Sequence, residues 1–214
     1  MPAMIVELLP VGVFQSNCVI LGCQETHEAL VVDPGAEPDV ILARLKHRNL
    51  HAKLVLHTHA HLDHVMATRQ IKEAEGSMIL LHPSDQELYE SLPSQANYFG
   101  MKVPSPLPID RFVTDGEAVI WGQLAGKILH TPGHTPGSLC FYLEPANLLL
   151  SGDTLFQRGI GRTDLWGGSY ADLEASIRGK LYALPPQTRV ICGHGPETTI
   201  ADERNLNQFI RSQR

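Results

Sequence analysis

The segment Thr58-His59-Ala60-His61-Leu62-Asp63-His64 places three imidazoles and a carboxylate within a few positions of one another. It follows residues 54–56, an apolar run that is typical of a buried strand. Side chains two residues apart in an extended segment face the same way. His59 and His61 are therefore predicted to converge on one metal ion.

The next pair in the segment, Asp63 and His64, falls at the start of a predicted helix and points elsewhere, so it can serve a second ion. Imidazole and carboxylate are the ligands that suit zinc, iron(II) or manganese, and no thiolate lies in the segment. The alternative is a solvated histidine-rich turn that binds nothing. A junction between a strand and a loop is a frequent place for functional side chains, which favours the metal site.

Composition narrows the class of protein. The 214 residues include 23 Asp and Glu against 17 Lys and Arg, a net charge of −6, and 43% are hydrophobic. These values are typical of a folded protein of one large or two small domains, and the acidic balance argues against a nucleic-acid partner.

No apolar stretch approaches the roughly 18–20 residues that cross a bilayer, and the first residues lack a basic signal-peptide region. Four cysteines without CxxC spacing fit a reducing cytoplasm.

Apolar runs separated by turns predict many strands with interspersed helices in two similar halves, which indicates two packed sheets with helices outside. A proline-rich stretch at 93–108 is predicted to be an active-site loop, because strands resume directly after it. The predicted strands are 4–9, 17–21, 29–32, 54–56, 78–81, 118–120, 127–129, 139–143, 148–150 and 189–192. One predicted helix contains the apolar residues Val40, Ile41 and Leu45, and three others span 65–75, 171–184 and 200–210.

Three further ligand candidates share one local pattern, an apolar strand followed by a glycine-rich loop. His134 lies in the sequence PGHTPG, Asp153 ends the sequence SGD, and His194 lies in GHGP. Taken singly, each is more typical of a capped turn or a structural histidine. Together, and in the presence of the histidine segment, they predict the remaining ligands of the site.

The ordered motifs HxHxDH, PGHTPG, SGD and GHGP resemble the signature of metallo-β-lactamase-fold hydrolases over essentially the whole chain. The resemblance implies an α/β fold, a four-layer αβ/βα sandwich with a dinuclear metal site along one edge. It implies that the first metal is held by His59, His61 and His134, that the second is held by Asp63, His64 and His194, and that Asp153 bridges both.

The bridging position narrows the resemblance. Asp153 stands where class B β-lactamases commonly use a cysteine, which is similar to the glyoxalase II branch. Residues 193–198 also look like those of short, single-domain glyoxalase II-like hydrolases. Full-length enzymes of that branch carry a C-terminal helical domain that supplies basic residues for glutathione, whereas here only one helix is expected after His194. The resemblance therefore implies one domain over residues 1–214, without a helical substrate domain.

The expected chemistry follows from charge. Two divalent ions, two carboxylates and a bridging hydroxide leave a net charge of about +1, which makes hydroxide available near neutral pH. We expect this hydroxide to attack an acyl carbonyl, with Asp63 and Asp153 as the catalytic carboxylates. A thiolate with a pKa of about 8–9 leaves without a proton donor, so a thioester such as S-lactoylglutathione is the expected small-molecule substrate. The expected metals are two zinc ions, with iron or manganese as alternatives.

Other residues have lesser predicted roles. Asp33, which ends a strand, either orients the histidine loop or caps a turn. Arg162, in a GxGRxD stretch that lies near the metals in the family resembled, is predicted to pair with Asp164 or to guide an anionic substrate. His57, His130 and Cys192 are predicted to be structural.

Several alternatives stay open. Persulfide dioxygenases share the implied fold and hold one iron with two histidines and an aspartate, for which His59, His134 and Asp153 would serve. A lactonase and an RNA-processing hydrolase are further alternatives, although the net charge of −6 disfavours the latter. A protein that binds metal without catalysis is a third class. No membrane partner is expected, and the chain is predicted to be a monomer or a small homo-oligomer.

Overall fold

The computed structural model describes residues 3–211, which form two six-stranded β-sheets and a small two-stranded sheet. The two large sheets pack face to face, because both contribute to one apolar core that includes Leu21 and Leu56 from the first sheet and Ile128 and Phe141 from the second. Helices cover both outer faces. This arrangement confirms the predicted four-layer sandwich.

The first sheet begins as antiparallel strands and continues as parallel ones. Parallel strands end at the same edge of a sheet, so the residues that follow β3 and β4 lie together. Asp33 follows β3, and the histidine segment follows β4. The strands, in their order in the sheet, are β1 (Met4–Val11), β2 (Ser16–Cys23), β3 (Glu28–Val32), β4 (His51–Leu56), β5 (Met78–Leu81) and β6 (Arg111–Phe112).

The second sheet pairs β10 with β13 in parallel, and β8 runs in the same direction because β9 is antiparallel to both β8 and β10. The loops after these strands therefore emerge at one edge and carry His134, Asp153 and His194. The strands, in their order in the sheet, are β14 (Thr198–Thr199), β13 (Arg189–Cys192), β10 (Leu148–Gly152), β9 (Leu139–Leu143), β8 (Leu124–His130) and β7 (Ala118–Trp121), and the two-stranded sheet is β11 (Leu155–Phe156) with β12 (Gly159–Ile160).

The helices pack their apolar sides on the sheets. Ile41 and Ile71 meet the outer face of the first sheet, and Leu173 and Ile200 meet that of the second. Over residues 3–211, no helix combines the length and the apolar character that crossing a membrane needs. The helices are α1 (Pro38–His47), α2 (Leu62–Val65), α3 (Thr68–Glu75), α4 (Gln86–Glu90), α5 (Leu92–Tyr98), α6 (Tyr170–Ser176), which continues as a π-helical turn over Ile177–Leu181, and α7 (Ile200–Leu206).

Two predicted boundaries were wrong in an informative way. The predicted helix at 65–75 is divided into α2 and α3, because the Ala67 N–H donates to the Pro34 carbonyl and not to a helical carbonyl. The predicted loop at 93–108 begins as helix α5. Pro93 occupies the first turn of that helix, where the N–H group that proline lacks would have no intrahelical partner.

Candidate metal centre

All seven predicted ligands meet at the sheet edge where β4, β8, β10 and β13 end. The ligand atoms of His59, His61 and His134 lie within 4.8 Å of one another, and those of Asp63, His64 and His194 do the same. These two triads match the groups that the family resemblance implies for the first and the second metal. A third group, Asp33, His59 and His64, also has ligand-type atoms within 4.8 Å of one another and shares a histidine with each triad.

Asp153 lies between the two triads. Its Oδ2 is 3.6 Å from His134 Nε2 and 3.7 Å from His194 Nε2, and its Oδ1 is 3.5 Å from His64 Nε2. A Cβ atom on Gly193 would lie 2.0 Å from Asp153 Oδ1 and 2.9 Å from the Gly152 carbonyl carbon, so a larger residue would displace the carboxylate or the backbone. The carboxylate therefore occupies the position expected of a bridging ligand.

Backbone carbonyls fix the orientation of two ligand histidines. His134 Nδ1 lies 2.8 Å from the Arg162 carbonyl oxygen, and His194 Nδ1 lies 3.1 Å from that of Phe14. A carbonyl only accepts, so we assign the proton of each neutral ring to Nδ1. The lone pair of Nε2 then faces the centre, as metal binding requires.

Asp33 orients two more histidines from behind. Its Oδ2 accepts a hydrogen bond from His64 Nδ1 at 3.0 Å and another from the Thr58 hydroxyl at 2.6 Å. The hydroxyl in turn lies 3.1 Å from His59 Nδ1, which donates to it. Asp33 thus contacts His64 directly and His59 through the Thr58 hydroxyl. These hydrogen bonds support the prediction that Asp33 orients the histidine loop.

The centre contains polar atoms that lack partners. His59 Nε2 and Asp153 Oδ1 are buried without a hydrogen bond. His61 Nδ1 and His134 Nε2 are 2.9 Å apart, and His64 Nε2 and His194 Nε2 are 3.3 Å apart. Buried polar atoms without partners are costly, and converging nitrogen lone pairs suit a divalent cation. The donor set therefore fits metal ions.

The electrostatics differ between the two triads. Burial, reinforced by neighbouring histidines, lowers the pKa of His61 to about 3 and that of His59 well below its ordinary value. Both rings thus favour the neutral form that binds metals. Burial also acts on His64, but the Asp153, Asp63 and Asp33 carboxylates outweigh it and raise the His64 pKa to about 10. Although burial opposes it, the charge of His64 lowers the pKa of Asp63. The carboxylates around the second triad therefore favour a positive charge there, either on His64 or on a bound cation.

Asp85 is a residue that the sequence analysis missed. This buried carboxylate accepts hydrogen bonds from Ala60 N at 3.0 Å and Thr135 Oγ1 at 2.8 Å through Oδ2, and from Gly137 N at 2.6 Å through Oδ1. It thereby connects the loop of His59 with the loop that carries His134. Asp85 does not directly follow a strand, because it ends a short 3₁₀ turn (Pro83–Asp85) after β5, so the pattern that marks the ligand loops does not mark it.

Residues with lesser predicted roles lie outside the two triads. His57 is buried with its Nε2 3.1 Å from Thr68 Oγ1, and Cys192 is a buried thiol. His130 stacks on His82 with ring centroids 3.9 Å apart. The Arg162 side chain is 67% exposed and forms a two-pronged ion pair with Asp164. Its backbone carbonyl, in contrast, contacts the predicted ligand His134.

The comparisons with known proteins agree with the fold. The family model of the Metallo-beta-lactamase superfamily matches residues 11–194, and the chain belongs to this family. The hydroxyacylglutathione hydrolase GloC of Haemophilus influenzae is 41% identical over 97% of this chain and 99% of its own.

Solved structures extend the similarity. The BLEG-1 B3 metallo-beta-lactamase superposes with a TM-score of 0.90 at 35% identity, over 96% of this chain and 99% of its own. TTHA1623, in a di-iron-bound form, has a TM-score of 0.86 at 37% identity, over 98% of this chain and all of its own. Together with the histidine and aspartate cluster, these findings support divalent metals.

Proposed function

We propose that the chain is a metal-dependent hydrolase that cleaves a thioester such as S-lactoylglutathione to the hydroxy acid and the free thiol. The observation that carries the proposal is the pair of triads joined by Asp153 at the edge of the sandwich. The similarity to a hydroxyacylglutathione hydrolase over nearly the full length supports the reaction class. The substrate is proposed to be a small molecule, with no nucleic-acid or membrane partner.

The proposed ligands are the predicted ones: His59, His61 and His134 for one ion, Asp63, His64 and His194 for the other, and Asp153 for both. When bound, two divalent ions supply Lewis acidity that polarises an acyl carbonyl and lowers the pKa of water. We propose two zinc ions as the first metal pair to test, with iron and manganese as alternatives. The hydrogen bonds that the imidazoles donate to the Arg162 and Phe14 carbonyls and to Asp33 hold the rings in place before substrate arrives, which reduces reorganisation during the reaction.

The residues around the centre favour a thioester over an amide. The titratable side chains that line the cleft are, apart from Arg162 and the exposed Tyr98, proposed ligands. An amide nitrogen leaves poorly without a proton donor, whereas a thiolate with a pKa of about 8–9 leaves as the anion. The cleft therefore supplies what thioester hydrolysis needs.

A mononuclear iron dioxygenase remains the alternative, with His59, His134 and Asp153 as its iron ligands. The second triad supports the hydrolase, because its three donors converge although a single iron would not use them. A lactonase or an RNA-processing hydrolase would use the same centre on another ester. Substrate screening separates these alternatives.

Metal analysis combined with activity measurement tests the proposal. Purified protein is expected to hold two divalent ions per chain and to release thiol from S-lactoylglutathione or a related thioester. A chelator should abolish the activity, and added zinc, iron or manganese should restore it. Undiminished cleavage after verified metal removal, or one iron per chain with oxygen uptake on glutathione persulfide, would refute the thioesterase.

A further inference from the structure

A cleft of about 540 Å³ lies over the candidate metal centre. His61, Asp63, His134 and Asp153 lie on its floor. Its walls come from the β1–β2 turn, the end of α5, and the β11–β12 hairpin with the loop that follows it. The aromatic and apolar side chains of these walls include Phe14, Tyr98, Phe99, Phe156, Leu165 and Trp166.

These walls expose aromatic surface to water. Trp166 is 51% exposed, Phe99 49% and Tyr98 84%. Clustered exposed apolar side chains beside a polar floor are typical of a ligand site, since their burial by a ligand is favourable. These walls would therefore contact the apolar part of a substrate.

The apolar walls are held by packing. The loop that carries Leu165 and Trp166 turns at Gly167, where a Cβ atom would lie 2.6 Å from the Pro136 ring. Across the cleft, Phe14 meets Phe99 edge to face, with ring centroids 5.2 Å apart. The walls are therefore formed before a ligand binds, which lowers the entropic cost of binding.

The charge of the walls disfavours an anionic substrate. Among the described residues that line the cleft, the one Lys or Arg is Arg162. Asp164 receives both of its hydrogen bonds, from Nε at 3.0 Å and from Nη2 at 2.9 Å, so the pair is neutral overall. A glutathione thioester carries two carboxylates, for which the walls offer no free cation.

We propose that the cleft selects thioesters with an apolar acyl group, aromatic or branched aliphatic, on a thiol without carboxylates. The apolar acyl group lies between Trp166 and Phe156 on one wall and Phe99 on the other. This inference rests on the proposed thioesterase activity and narrows its substrate class, so that S-lactoylglutathione is expected to be cleaved but not preferred.

Four thioesters test the selectivity: lactoyl and phenylacetyl groups, each carried on glutathione and on N-acetylcysteamine. With metal-loaded protein, kcat/KM for the phenylacetyl thioester should exceed that for the lactoyl thioester about tenfold on either thiol, since apolar pocket contacts discriminate by this order. On either acyl group, N-acetylcysteamine should be preferred to glutathione.

Two variants and one control test the residues of the cleft. Trp166→Ala should lower kcat/KM for the phenylacetyl thioesters about tenfold, chiefly through KM, and change the lactoyl thioesters less than about twofold. Phe209 is an exposed aromatic residue that does not line the cleft, so Phe209→Ala should leave kcat/KM for the phenylacetyl and the lactoyl thioesters unchanged. Asp164→Asn frees the Arg162 charge and should raise kcat/KM for glutathione thioesters about threefold at low salt, an effect that salt removes.

The outcomes separate this inference from the proposed function. A preference for S-lactoylglutathione, or an equal effect of Trp166→Ala on all four substrates, would overturn the apolar selectivity and leave the thioesterase intact. No cleavage of any of the four by metal-loaded protein would overturn both. Metal content and thermal unfolding of each variant establish that it is folded.

Discussion

The candidate centre depends on residues that bind no metal themselves. Asp33 and the carbonyls of Phe14 and Arg162 each accept a hydrogen bond from the outward nitrogen of a histidine. Without such an acceptor, a neutral imidazole can place its proton on either nitrogen, and half of the tautomers would present N–H to the metal. These contacts therefore select the binding form of each ring.

Asp85→Asn tests the connection between the two ligand loops. The amide replaces one acceptor oxygen with an NH₂ group, which cannot accept from Ala60, Thr135 or Gly137. We expect metal affinity to fall at least tenfold, as is typical when a group that orients ligands is changed. Competition with a chromophoric chelator measures this, and Asp39→Asn, at an exposed carboxylate, is the matched control. Equal affinities of the two variants would contradict the role of Asp85.

His82 is expected to make stability pH-dependent. Burial, together with the charge of His130, lowers its pKa to about 4, whereas an unfolded histidine titrates near 6.5. Between these values the unfolded chain binds a proton that the folded chain does not. The stabilisation is therefore complete above pH 6.5 and is lost as the pH falls towards 4.

His82→Asn removes this titration and keeps an acceptor for the Ser84 N–H. Urea unfolding at pH 7.5, 6 and 5 should show that the variant loses less stability on acidification than the natural chain does. Parallel pH profiles of the two proteins would refute the assignment.

At the scale of elements, the site results from strand direction. The strands β4, β8, β10 and β13 all end at one edge, so four loops that are distant in sequence become neighbours. Helix α5 and the β11–β12 hairpin then form walls of the cleft over this edge. The hairpin is held by α7 through the buried Glu203, which accepts from Arg158 N at 2.8 Å and Asn207 Nδ2 at 2.7 Å.

Glu203→Gln tests this attachment. The substitution leaves the Arg158 N–H and the buried donors of Thr198 and Asn207 competing for a single acceptor oxygen, which should cost about 1–3 kcal/mol of unfolding free energy. Glu73→Gln, at a 58% exposed partner of Arg69, should cost less than about 0.5 kcal/mol. Urea unfolding compares the two variants. Similar values would show that the buried network contributes little.

At the scale of the whole molecule, the centre joins the two halves of the sandwich. His59 to His64 come from the first sheet, and His134, Asp153 and His194 come from the second. Ions bound there would hold the sheet edges together, since a ligand that binds only the folded state stabilises it. Without ions, buried polar atoms such as His59 Nε2 and Asp153 Oδ1 would lack partners.

Metal removal should therefore lower the melting temperature. With metal at about 1,000 times its Kd, binding adds about 4 kcal/mol, which corresponds to a Tm shift of about 10 °C for a chain of this size. Scanning calorimetry with a chelator measures the shift, and the same chelator saturated with zinc is the control. An unchanged Tm after verified metal loss would show that the centre does not stabilise the fold.

The local sequence determined much of this protein. Apolar runs of period two, the histidine segment and three glycine-rich loops predicted most strands, the two-sheet sandwich and every residue that meets at the centre. These signals are local, because a strand's apolar pattern and the residue after it are adjacent in the chain. The extent of the domain over 1–214 and the location in the cytoplasm stay predictions.

Only the tertiary structure decided the rest. Asp85, the Arg162 carbonyl and the Phe14 carbonyl act through contacts between segments remote in sequence, and a carbonyl belongs to every residue, so no side-chain pattern marks it. The aromatic walls likewise combine three separate elements. The sequence determined which donors exist, whereas packing decided their orientation and what surrounds them, because both depend on distances that the chain acquires only when the two sheets meet.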